Sequence, residues 1–296
     1  MTIKKNILTY IVIAVLLFPF FSLAQTDQFN SLRLATTDSD RAIAHQELKD
    51  YLSQRLNEAL TTEDLQPLID NWPAGNASAG SGSEKVIILS WNSERLDRTQ
   101  DYGGFIIFGF EKVGRITTFK WSELTHNRNE DPTNVARSYR VDDWPGAIYY
   151  ELILTHVKKS PVYTLLGWDG ADGQVTRKIM ETMIVTNDRI RIGVPYLKTK
   201  EGLRKRHVLE YGDALQATLH YEAENNRIVL DRLAPSDPSL MGATAFYGPT
   251  MEYDAFVWDG KKWMFTQDVE VSNNNKSSRR NKIYNDPRSS RTNRRN

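Results

Sequence analysis

The chain has 296 residues, 38 Lys+Arg against 37 Asp+Glu, and no cysteine. The missing cysteine excludes disulfide scaffolds, thiolate zinc sites, iron–sulfur clusters and thiol nucleophiles. At 40% hydrophobic and 25% charged, with 17 Gly and 11 Pro, the composition excludes disordered, collagen-like and polytopic membrane proteins.

Met1 to Ala24 has the three parts of an export signal. Lys4 and Lys5 give the positive start, Ile7 to Phe21 is an apolar run, and Ser22 and Ala24 are small residues before a cut at Gln25. The run is roughly 15 residues, short of the ~20 that span a bilayer. A periplasmic or secreted protein is expected, with no membrane span after cleavage. The net charge of +1 is a balance of unlike parts: +2 in the signal, −8 from Gln25 to Asn275, and +7 from Lys276 to Asn296.

Residues 25–72 read as a helical segment. Ala44, Leu48, Tyr51, Leu52, Leu56 and Ala59 recur at helical spacing within Asp38 to Leu60, with Asp38 or Ser39 as the cap. Thr61-Thr62-Glu63-Asp64 opens a second, short helix that runs to Trp72. Residues 73–83, Pro-Ala-Gly-Asn-Ala-Ser-Ala-Gly-Ser-Gly-Ser, read by composition as a flexible linker.

Residues 84–273 read as a β-rich domain. Strand patterns fall at Val86 to Trp91, Gly104 to Phe110, Arg115 to Trp121, Ala147 to His156, Val162 to Trp168, Val175 to Thr186 and Arg189 to Ile192. They continue at His207 to Tyr211, Leu215 to Tyr221, Arg227 to Leu233, Tyr253 to Trp258 and Lys262 to Gln267. Gly114, Gly212-Asp213, Asn225-Asn226 and Asp259-Gly260 are turn signals between them. Tight turns without intervening helices disfavour parallel βαβ units. The expected fold is mainly β: an antiparallel meander of about a dozen short strands, closed as a barrel, a sandwich or propeller-like sheets, behind an N-terminal helical segment. Trp-Asp-Gly occurs twice, at Trp168 and Trp258, which is too sparse for a blade period. Residues 274–296 form a disordered basic tail by composition. Lys276 to Asn296 is suited to anionic surfaces but lacks the interleaved aromatics of specific nucleic-acid binders.

Motifs for chemistry are few. His45, His126, His156, His207 and His220 form no metal-binding pair at helical spacing, and no nucleophile elbow or phosphate loop is present. No metal and no cofactor is expected. Asp169 to Gly173 resembles a calcium loop only in part, since Ala171 and Gly173 have no side-chain oxygen. Two patterns remain. Aromatic rings at Trp144, Tyr149, Tyr150, Trp168, Tyr247, Trp258 and Trp263 supply either a sugar-stacking platform or core filling. Asp142, Asp143, Asp169, Asp172, Asp254 and Asp259 supply acids, from which a glycosidase needs one pair. The candidate ligand-facing set is Trp144, Tyr149, Trp168, Asp169, Asp172, Tyr247, Trp258 and Asp259. The expected function is a non-catalytic binding or structural module with a glycan or envelope partner. The alternative is a glycosidase-like hydrolase acting on an envelope or extracellular polymer.

Several stretches carry a family resemblance. They include Val86-Ile-Ile-Leu-Ser-Trp-Asn92, Trp144-Pro-Gly-Ala-Ile-Tyr-Tyr150, Tyr163-Thr-Leu-Leu-Gly-Trp-Asp-Gly170, His207-Val-Leu-Glu-Tyr211, Ile228-Val-Leu-Asp-Arg-Leu-Ala-Pro235 and Phe246-Tyr-Gly-Pro249. Over roughly 85–273 the chain resembles an uncharacterised family of secreted, strand-rich proteins of Bacteroidota. The resemblance implies an exported β domain, and it implies no activity, cofactor or catalytic residue.

Overall fold

The computed structural model describes residues 27–186 and 188–271. The expected export signal at 1–24 and the expected basic tail at 274–296 lie outside them. The described chain begins helical over 27–34 (α1). It continues with α2 (Asp38–Glu58) and α3 (Thr62–Asp70). Thr37, not Asp38 or Ser39, caps α2: its Oγ1 accepts the Asp40 N–H at 3.1 Å. Asp38 is used elsewhere, accepting the Leu96 N–H at 2.8 Å and so tying the helix start to the sheet below. Thr61 and Asp64 form a capping box on α3.

Fifteen strands follow among the described residues, in three sheets. The first sheet has the order β1 (Gly75–Ala79), β2 (Val86–Glu94), β3 (Gln100–Val113), β4 (Ile116–Thr125), all antiparallel. Residues 73–83 are therefore not a free linker. Gly75 to Ala79 pair with Ser90 to Val86, and Gly82–Glu84 forms a 3-10 turn. The small side chains that suggest a linker here let a strand lie in a narrow space, with Gly75 and Ala77 buried and Asn76 and Ser78 exposed.

The middle sheet has the order β11 (Arg206–Gly212), β7 (Val175–Thr186), β6 (Ser160–Asp169), β5 (Ile148–Val157), with β8 (Arg189–Ile192) beside β7. The outer sheet has the order β10 (Gly202–Arg204), β9 (Leu197–Thr199), β15 (Trp263–Thr266), β14 (Tyr247–Trp258), β13 (Arg227–Pro235), β12 (Leu219–Glu222). The path is more crossed than a meander. Strand β9 pairs with β15 in parallel, through Trp263 opposite Leu197. Gly212-Asp213 does not turn a hairpin, because β11 joins the middle sheet and β12 the outer one. The turns at Gly114, Asn225-Asn226 and Asp259-Gly260 do, with Asn226 left-handed at φ 46°.

Three apolar interiors define the stacking. Leu48, Leu52, Leu56 and Leu65 of the helices pack on Ile87, Leu89, Trp91, Phe105 and Ile107 of the first sheet. Its opposite face, with Val86, Ile88 and Ile106, packs on Tyr149, Leu152, Leu165 and Ile179 of the middle sheet. The far face of the middle sheet, with Ile153, Leu166, Met180 and Leu209, meets Leu219, Ile228, Phe256 and Trp263 of the outer sheet. The result is a four-layer stack of helices and three open sheets, the sandwich form of the expected β fold. Two sheets are covered on both faces, which is why Val86-Ile-Ile-Leu89 is a continuous apolar run and does not alternate.

Candidate functional site

An open groove lies where the helical layer meets the end of the first sheet. Its volume is about 390 Å³, and Thr62, Glu63, Gln66, Lys85, Phe110 and Thr117 are among its lining residues. The sequence builds it locally. The capping box starts α3 at Thr62, so Thr62 and Glu63 sit in the first turn and Gln66 follows one turn later on the same side. The 3-10 turn ends with the Lys85 N–H on the Gly82 carbonyl at 3.1 Å and delivers Lys85 to the rim. Its ammonium stands 5.1 Å over the Phe110 ring, a cation–π contact on an apolar floor. Thr62 Oγ1 donates to Glu63 Oε2 at 3.3 Å, and Gln66 Nε2 to Asp70 Oδ1 at 2.7 Å. Hydroxyls, an amide, one ammonium and one carboxylate suit a hydrogen-bonding ligand better than an apolar one. The sequence offered one signal for this place, the cap at Thr61 to Asp64; its other walls come from elements distant in the chain.

The eight residues nominated from sequence do not converge on it. Trp144, Tyr149 and Trp168, expected to face a ligand, are at most 1% exposed and fill the interior between the first and middle sheets. With both faces of the middle sheet covered, large rings on its strands have no solvent side. Their polar atoms serve the core: Trp144 Nε1 donates to the Tyr149 hydroxyl at 3.0 Å, and that hydroxyl donates to Glu181 Oε1. Glu181 accepts from Arg206 Nε at 3.0 Å, both residues being fully buried. Arg206 also donates to the Pro132 carbonyl at 2.8 Å and lies 4.7 Å over the Tyr139 ring, so the pair anchors the long loop before β5.

Asp169 is buried and fully used. It accepts from Tyr102 Oη at 2.7 Å, Ala171 N at 2.8 Å and Arg177 Nη1 at 2.9 Å. Asp172 accepts the N–H groups of Gln174 and Val175 at 2.7 and 3.0 Å, a turn bond and not a calcium ligand. Asp259 does the same for Lys261 and Lys262, both at 2.8 Å, and these backbone bonds hold its carboxyl below the ordinary carboxylate range. Asp142 is paired with Arg140, Asp143 with Asn127 and Arg137, and Asp254 with Arg232. The Asn127 and Arg137 hydrogen bonds hold the Asp143 carboxyl below the ordinary carboxylate range as the backbone does for Asp259, unlike the proton donor of a glycosidase. The Tyr247 hydroxyl accepts the Gly242 N–H at 3.0 Å, and Trp258 packs at 5.2 Å against the buried Trp263.

Further titratable groups with altered affinity for protons lie outside the nominated set. Burial pushes Glu151 up to about 7, against one opposing bond from the Tyr221 N–H at 3.1 Å. Burial lowers His207 and His45 each to about 4. No group of three His, Cys, Asp or Glu suited to a metal ion occurs among the described residues, and no described helix is long and apolar enough to cross a membrane. A scan of protein-family models and searches of curated proteins and of solved structures return no match to the chain.

Proposed function

We propose that the protein is an exported, non-catalytic module that binds a polymer of the envelope or extracellular space, through the groove beside α3. The observation carrying this reading is the groove itself: hydroxyl, amide and charged groups gathered from three elements beside the buried Phe110 ring, with the Lys85 ammonium over it. Its polarity matches a glycan chain, which offers many donors and acceptors and small apolar faces. The export signal supplies the location. The basic tail, Lys276 to Asn296, supplies a second, non-specific contact with anionic surfaces.

The test is retention on a glycan array and on envelope extract. Thr117→Arg fills the groove from a half-exposed strand position and is expected to weaken retention at least tenfold. Undiminished retention would remove the groove from the reading. A hydrolase remains the second reading, supported by Glu151 alone, whose proton affinity suits a general acid. Turnover of an envelope polymer that disappears in Glu151→Gln would establish it, and turnover absent from the parent protein would end it.

A further inference from the structure

The interior between the middle and outer sheets is largely apolar; within it Trp263 Nε1 donates to Thr164 Oγ1 at 2.8 Å, and two titratable side chains of the middle sheet face it. On β11, His207 points into the seam, with Phe256 of β14 at 5.1 Å and Phe265 of β15 at 6.1 Å between ring centroids. Both of its ring nitrogens are shut off from solvent and find no hydrogen-bond partner among the described residues. A polar ring so placed costs stability, and a charged one costs more. The charges around it are Arg204, which opposes protonation, and Asp254 and Glu201, which favour it. Asp254 is already engaged by Arg232, and Glu201 by Thr199.

At the other end of the seam, Glu151 leaves β5 at a bulge in its pairing with β6. Its Oε2 accepts the N–H of Tyr221, on the edge strand β12 of the outer sheet. Beside it, the Tyr150 hydroxyl donates to the Leu219 carbonyl of β12 at 2.8 Å. The titratable groups facing Glu151 are Tyr150 and Tyr221, and Lys178 stands over the Tyr150 ring at 4.8 Å. No described ion pair engages the Glu151 carboxylate.

We propose that this seam is a proton-operated joint, in which the outer sheet stays seated on the middle sheet only while His207 and Glu151 are both uncharged. The two limits run in opposite directions. Glu151 rises from an ordinary 4.5 to about 7, so its favourable neutral state is fully present below 4.5 and is lost as pH rises through 7. His207 falls from 6.5 to about 4, so its favourable neutral state is present above 6.5 and is lost as pH falls through 4. Between 4.5 and 6.5 the two dependences oppose each other and nearly cancel, so the joint is tightest there and loosens only about threefold beyond 4 and 7, opening locally at the outer sheet before the rest of the molecule.

Hydrogen exchange of the full chain, corrected for intrinsic chemistry, tests this. Peptides of β12 to β15 are expected to show least opening near about pH 5.5, rising by no more than about threefold to either side in the parent protein because the two dependences oppose each other, while β3 and β6 stay protected. Glu151→Gln is expected to leave the His207 dependence alone, with opening that rises about tenfold per pH unit as pH falls from 6.5 to 4, and His207→Leu the Glu151 dependence alone, rising about tenfold per pH unit as pH rises from 4.5 to 7. His207→Gln, uncharged and closer in shape, gives the same reading if His207→Leu does not fold. Variants that stay as flat with pH as the parent protein, or opening that rises equally in all three sheets, would overturn the joint.

Discussion

At the scale of single residues, the two Trp-Asp-Gly turns look alike in sequence and are held differently. Gly260 has φ +90° with nothing within 4 Å of where a Cβ would stand. Its cost on substitution is conformational, and Gly260→Ala is expected to destabilise by about 1 kcal/mol in urea titration. Gly170 has no such backbone demand, but a Cβ would come within 2.7 Å of Trp168 Cη2 and 2.9 Å of Gln100 Cδ. Gly170→Ala therefore acts by forcing the Trp168 ring, and a larger loss than at Gly260 is expected, reported by the near-ultraviolet dichroism of that ring. The buried pair gives the largest single effect. Arg206→Ala leaves Glu181 charged and dry, at an expected cost of about 3–5 kcal/mol, and the Arg206→Met, Glu181→Leu double variant should recover part of it. The turn chemistry was legible in sequence because Asp259 and Asn226 act on their own neighbours. Glu181 and Glu151 were not legible: each is one Glu in an apolar strand, and its meaning comes from a residue far along the chain, Arg206 on a neighbouring strand for Glu181 and Tyr221 on another sheet for Glu151.

At the scale of elements, apolar periodicity placed α2, α3 and most strands, and β7 and β8 at their observed limits. It missed β1, β9 and β10. Strand β1 is Gly-Asn-Ala-Ser-Ala, too poor in branched and aromatic residues to read as a strand; its pairing with β2 and its burial make it one. Strands β9 and β10 have three residues each and no pattern to detect. The placement of β1 changes what the helical segment does. It is the cover of one face of the first sheet, so a chain starting at Ser83 loses β1 and bares Ile87, Leu89, Trp91, Phe105 and Ile107. That truncated chain is expected to bind a hydrophobic dye and aggregate on size exclusion. A monodisperse, dye-silent product would show that the three sheets stand without the helices.

At the scale of the whole molecule, charge is divided between a body of −8 and a tail of +7. Deleting Lys276 to Asn296 is expected to leave the melting temperature unchanged and to abolish retention on anionic vesicles at low salt, with the full chain eluting as salt rises. Equal, salt-insensitive retention of both forms would dissociate the tail from any surface. The stack was legible only as a mainly β body, since which sheet each strand joins depends on crossings that local pattern does not record. One crossing sets the order of assembly. Strand β9 reaches the outer sheet through the parallel pair with β15, the last strand described, and β10 hangs on β9. During vectorial synthesis the β9–β10 hairpin emerges with no sheet to join and must wait for about sixty further residues before Trp263 arrives opposite Leu197. Closing so long a loop late gives the outer sheet a slow final folding phase. A ribosome stalled before residue 263 would present a nascent chain in which β9 and β10 remain sensitive to protease while the first sheet is already protected.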